Sequence, residues 1–190
     1  EFASRICQTA FADIFDGELV LFSSDFGNIK DTELFLGNIE DILGNDVTKT
    51  VYTNLKDTIE VRKAYLQHKI YLNDAKKIMP LRKYYTGSDL EFAEQCRNMV
   101  GDGEAAAVSI LDIFHALDKK RENTDMIKTL ETYLLDADQN VQRAAVILFV
   151  HKNTVKYRLK CISDAFGFNI GRMPESNKLY IAAAIHRLLS

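Results

Sequence analysis

The chain has 190 residues, 47% of them hydrophobic and 27% charged, with a formal net charge of −3. That is enough apolar mass for one large domain or two small ones, and the balance excludes a disordered chain. No apolar run reaches the roughly 20 residues that span a bilayer, and no basic-then-apolar leader stands at the front, so a cytoplasmic protein with no membrane partner is expected.

The net charge hides a division. Residues 1–118 carry 12 basic against 20 acidic residues, a balance of −8; residues 119–190 carry 12 against 7, a balance of +5. A basic segment behind an acidic body suggests two modules with different partners. The three cysteines, Cys7, Cys96 and Cys161, lie far apart with no metal-ligand spacing and read as reduced thiols. The chain begins at Glu1 rather than methionine and is expected to be a fragment of a longer protein.

In chain order, residues 3–15 are predicted helical, with Ile6, Ala10 and Ile14 on one face. "GELVLFSS" (17–24) reads as a buried strand. "DTELFLGNIEDILG" (31–44) reads as a helix with Asp31 as N-cap and Gly44 as the stop. "VTKTVYT" (47–53) has the look of a strand. Asp57 opens a long helix to about Lys77, with Ile59, Ala64, Tyr65, His68, Tyr71, Leu72 and Ala75 on its apolar side, and Pro80 forbids its continuation. "LRKYYT" (81–86) is a candidate edge strand. This alternation predicts a small α+β or α/β layer module.

After residue 86 the strand signals vanish. Residues 87–100 and 104–117 are predicted helices separated by the turn "GDG" (101–103), and 118–123 is a polar linker. The tail is predicted helical over 124–136, 141–149, 152–166 and 177–189, with breaks at Gly167 and Gly171 and Pro174 in the last loop. The whole is therefore expected to be α+β and mainly helical.

The tail carries the chemistry. In 141–149 the inward positions are Val141, Ala144, Ala145 and Leu148, and the two alanines let a second helix cross closely. In the next helix Val155, Leu159, Ile162 and Phe166 form one buried stripe, with Val150 plugging the turn between the two. Two short helices joined in this way describe a helix-turn-helix. Lys152, Asn153, Lys156, Tyr157 and Lys160 must then project from the opposite face. Cations meet phosphates and polar forks meet base edges, so Lys152, Asn153, Lys156 and Tyr157 are the expected base contacts. Lys160 and Arg143 are expected on phosphates. The bland alternative is a row of lysines that merely solvates an amphipathic helix.

The stretches "TLETYL" (129–134), "AAVIL" (144–148), "VHKNTVKYRL" (150–159), "FGFNI" (166–170) and "LYIAAAIHRLL" (179–189) resemble the C-terminal DNA-binding domain of the PucR/CdaR family of bacterial transcription regulators. The resemblance implies double-stranded DNA as partner and adds Thr154, His151 and Arg158 to the candidate contacts. His151 either starts the helix or touches DNA. Arg158 either pairs with an acidic neighbour or reaches a phosphate. Many helix-turn-helix units carry glycine in the turn; here the equivalent residue is Phe149, expected to extend the first helix and pack on a neighbour.

The resemblance also implies a degenerate GGDEF-like α/β module over residues 1–86, a helical connector over 87–122 and the helix-turn-helix domain over 123–190. No GG-D/E-EF sequence occurs, so nothing points to cyclic-dinucleotide synthesis. A sensor domain binding a small-molecule effector would stand upstream of this fragment.

Enzyme readings are thin. His68, His115, His151 and His186 have no metal-ligand spacing, Asp16 and Asp25 bracket a strand without the rest of a metal motif, and no phosphate loop or nucleophile elbow is present. No catalytic residue, cofactor or metal is expected. The reading is a sequence-specific regulator acting as a homodimer or higher oligomer on paired half-sites. An oligomerisation module whose tail does not bind DNA is the alternative. A degenerate nucleotide sensor in residues 1–86 is compatible with the first reading.

Overall fold

The computed structural model describes residues 10–23, 29–44, 46–101, 112, 114, 117 and 123–190. They fall into two units, Glu1–Thr48 and Lys49–Ser190. In the first unit, strands β1 (Ala10–Phe15) and β2 (Glu18–Ser23) pair antiparallel, Phe11 opposite Phe22 and Phe15 opposite Glu18. Asp16 and Gly17 both have positive φ, the two-residue hairpin turn for which Asp-Gly is a preferred sequence. The helix expected over 3–15 is thus corrected to a strand from residue 10; residues 3–9 lie outside the described residues. β2 is not buried either. Its sheet has two strands among the described residues, and Leu19 and Phe22 are exposed.

Helix α1 (Ile29–Leu43) begins two residues before Asp31, which is therefore inside the helix and not its cap. Gly44, at φ 83, follows its last residue and stops it.

In the second unit, β3 (Thr50–Val51) is a two-residue strand. It pairs in parallel with β4 (Tyr85–Thr86), the remnant of the expected edge strand. Between them runs α2 (Thr58–Ile78), capped by the Asp57 carboxylate, which accepts from the Ile59 and Glu60 amides. Its buried stripe includes Ala64, Ala75 and Ile78. Ile59 lies about 140° around the helix from Ala64 and is 74% exposed, a correction to the expected apolar side.

Helix α3 (Gly87–Gly101) starts with a reciprocal cap: the Thr86 amide donates to Asp89 Oδ2, and the Asp89 amide donates to Thr86 Oγ1. It packs Leu90, Ala93 and Cys96 inward, and Arg97 pairs with Asp74 of α2. The helix expected over 104–117 and the linker expected over 118–123 fall almost wholly outside the described residues, and Asn123 is helical rather than linker. Of them, Phe114 and Leu117 are buried.

The tail comprises α4 (Asn123–Glu131), a π-helical turn (Thr132–Asp136), α5 (Val141–Ile147), α6 (Lys152–Phe166) and α7 (Glu175–Leu189). α7 is the central rod, with Leu179, Ala182, Ala183, Ala184, Ile185 and Leu188 all buried. Three consecutive small side chains let α2 and α3 on one side and α4 with the π-turn on the other approach it closely. Arg187 ties these layers together. Its guanidinium donates to the Ile78 carbonyl at 2.9 Å and to Asp136 at 3.0 and 2.5 Å.

Candidate nucleic-acid interface

The candidate interface comprises α5, the turn after it, and α6. Asn140 caps α5, its side chain accepting from the Gln142 and Arg143 amides. Ala144 and Ala145 are buried against α6, which presents Val155, Leu159 and Ile162 in return. α4 packs on α6 from another side.

The turn is where expectation and structure differ. α5 ends at Ile147, and Phe149 adopts φ 54. The Phe149 amide donates to the Val146 carbonyl at 3.2 Å, and the Val150 amide to the Ala145 carbonyl at 3.1 Å. This pair of bonds is a Schellman motif, with Phe149 at the left-handed position that glycine usually fills. Phe149 therefore neither extends the helix nor packs on a neighbour: it is 95% exposed. A non-glycine residue there costs about 1–2 kcal/mol. Val150 is half-buried and packs on the core.

His151 caps α6. Its Nδ1 accepts the Asn153 amide at 3.2 Å, which leaves Nε2 to carry the proton in the neutral ring. Gly167, at φ 74, closes the far end.

Burying Val155, Leu159 and Ile162 turns the opposite face outward. Lys152, Asn153, Lys156, Tyr157 and Lys160 are all exposed, as is His151. The three lysines climb the helix over about 12 Å. Their placement runs against helix electrostatics. The first turn of α6 has Lys152 and no acidic residue, and its last turn has Asp164 and no basic one. A cation at a helix N-terminus opposes the macrodipole, so this layout gathers positive potential at the start of α6 at some cost to the helix.

The remaining candidates sit differently. Thr154 is half-buried. Arg158 is engaged inside the domain: it donates to Asp125 at 2.5 Å and to Thr129 Oγ1 at 3.2 Å, both on α4. Arg143 is exposed on α5 and paired with Asp138, which is equally exposed. Asp125, the anchor of Arg158, was missed in the sequence. It lies 33 residues away, and no local pattern links the two. Among the described residues no cluster of His, Cys, Asp or Glu could hold a metal ion, and no helix is long and apolar enough to cross a membrane.

Residues 126–185 match the family model described as the PucR C-terminal helix-turn-helix domain. This segment is a PucR C-terminal helix-turn-helix domain. The match takes in α5, the turn, α6 and most of α7. Of the curated proteins similar to the chain, an uncharacterized protein of Mycobacterium tuberculosis is 34% identical over 92 residues, covering 48% of this chain and 22% of its own length. An uncharacterized protein of Mycobacterium bovis matches to the same extent. The DNA-binding transcriptional activator AdeR of Bacillus subtilis is 26% identical over 106 residues, covering 47% of this chain and 25% of its own length. The chain thus spans about a quarter of the length of the curated relatives it matches.

Proposed function

We propose that this chain is the DNA-reading part of a transcription regulator, with α6 lying in the major groove. The observation that carries the reading is the outward face of α6: three lysines, an asparagine and a tyrosine, exposed on a rigid helix whose N-terminus is made more positive than its own stability favours. The PucR-type domain and the activator of Bacillus subtilis, a DNA-binding protein by its name, support it.

Lys152, Asn153, Lys156 and Tyr157 reach base edges, asparagine suiting adenine and lysine guanine. Lys160 meets a phosphate. Arg143 joins it by exchanging its exposed partner Asp138 for a phosphate, a cheap exchange because surface ion pairs contribute ~1 kcal/mol or less. His151 fixes the start of α6 and offers Nε2–H to the backbone, and Thr154 serves beside it. Arg158 acts through the fold, holding α6 against α4. A single unit of this size makes few contacts, so a homodimer on two half-sites is proposed. Residues 1–86, a degenerate GGDEF-like module, and the connector at 87–122 transmit state or self-associate, and a sensor for a small effector belongs to the longer protein. None of these roles calls for catalysis.

The test is the pair Asn153→Ala with Lys156→Ala. Both side chains are exposed, so the fold and the oligomeric state by light scattering should not change, while preference for a specific duplex over a scrambled one should vanish. Loss of self-association in the double variant, with no DNA binding by either protein, would favour an oligomerisation module instead.

A further inference from the structure

Phe149 is the one side chain of the turn that the fold does not explain. It is 95% exposed, and Val146, three residues earlier, is 70% exposed. Its backbone sits at φ 54, where glycine would fit without strain. The protein therefore keeps a large apolar ring in water, on a backbone that resists it. Strain of this kind persists where a side chain is needed for something other than folding.

Its position says where the ring acts. Phe149 stands three residues before Lys152, so the chain holds its Cα within about 11 Å of the start of α6. The carbonyls of α5 are met by the Schellman bonds, which fix the turn and leave the ring pointing away from the core. When the start of α6 enters a groove, the ring comes to the groove with it. In the major groove the apolar feature of a base edge is the thymine C5-methyl, and phenylalanine is a side chain that meets it.

We propose that Phe149 is a specificity contact that packs on a thymine C5-methyl flanking the bases read by Lys152 and Asn153; this rests on the DNA-binding reading above. The left-handed turn holds the ring outside the domain so that contact requires no rearrangement on binding.

The experiment is selection of duplexes from a random pool by the whole chain, followed by anisotropy titrations of wild type, Phe149→Gly and Phe149→Leu. The selected duplex is also tested with each thymine replaced in turn by deoxyuridine, which lacks the methyl. Phe149→Gly should fold with an equal or higher Tm and bind the selected duplex roughly fivefold more weakly. At one thymine per half-site, deoxyuridine should cost the wild type the same factor and cost Phe149→Gly nothing. Phe149→Leu should keep most of the affinity. Equal binding by Phe149→Gly and wild type would overturn the proposal while leaving the reading of α6 intact. So would a change in oligomeric state without a thymine-dependent effect, which would make the ring a protein contact. If the wild type enriches no sequence while remaining folded, the reading of α6 fails and the proposal with it.

Discussion

Two cations on one short helix, Lys156 and Arg158, have opposite fates. Lys156 is exposed, while the Arg158 side chain is 19% exposed and bound to Asp125 and Thr129. Lys156→Ala is therefore expected to leave stability within experimental error and weaken DNA binding. Arg158→Ala is expected to cost about 1 kcal/mol of stability, since Asp125 is itself mostly solvated, and Asp125→Ala should cost a similar amount. Urea melts of the three variants check this; a stable Arg158→Ala with lost DNA affinity would move Arg158 to the interface. The exposed face was legible in the sequence because burying Val155, Leu159 and Ile162 leaves a helix only one face for Lys152, Lys156 and Lys160. The fate of Arg158 was not, because it flanks the stripe and its partner comes from α4. Phe149 was misread for a related reason: left-handed backbone is expected at glycine, so a phenylalanine there carries no local signal.

Elements were legible where one period dominated. Asp57 and the long periodic run behind it define α2 almost to the residue. The first strand was missed because Ile6, Ala10 and Ile14 mimic a helical face, whereas the stronger signal was Asp16-Gly17 between two apolar runs. The packing of α2 on α3 has a pH signature. Burial, with help from Asp74, pushes the Cys96 thiol up from 9.0 to about 12. Burial likewise raises Tyr52, helped by Glu91 and Glu94, and Tyr71, helped by Glu94. Each group is neutral when protonated. Below the unfolded-state pKa both states keep the proton, and the full stability is present. Above it the unfolded chain ionises while the folded one resists, so stability falls as pH rises. The expected result is a Tm that is flat near neutrality and declines above about pH 9, with a shallower early decline in Cys96→Ala. Parallel pH curves for the two proteins would show that Cys96 is not the group responsible.

At the scale of the molecule, α7 joins the helix-turn-helix to α2 and α3, and Arg187 is the polar link. Burial opposes its charge, but hydrogen bonds and attraction from Asp136 and Glu131 outweigh this and raise its pKa. Glu131 also shares a hydrogen bond with His186 Nδ1 at 2.6 Å. None of this network was readable from the chain, because its members come from α2, the end of α4, the π-turn and α7. The change from an acidic body to a basic tail was readable, and it sets the most direct measurement. Anisotropy titrations of the wild-type chain against the DNA upstream of its own gene and a scrambled duplex, across several salt concentrations, should show affinity that falls with salt and favours the native duplex. Removing Lys152, Lys156 and Lys160 together should flatten the salt slope by about three phosphate contacts or fewer, the shortfall counting lysines that read bases. An unchanged slope in the triple variant, or no binding by the wild type at low salt, would contradict the account and leave the lysine row as a solvated helix face.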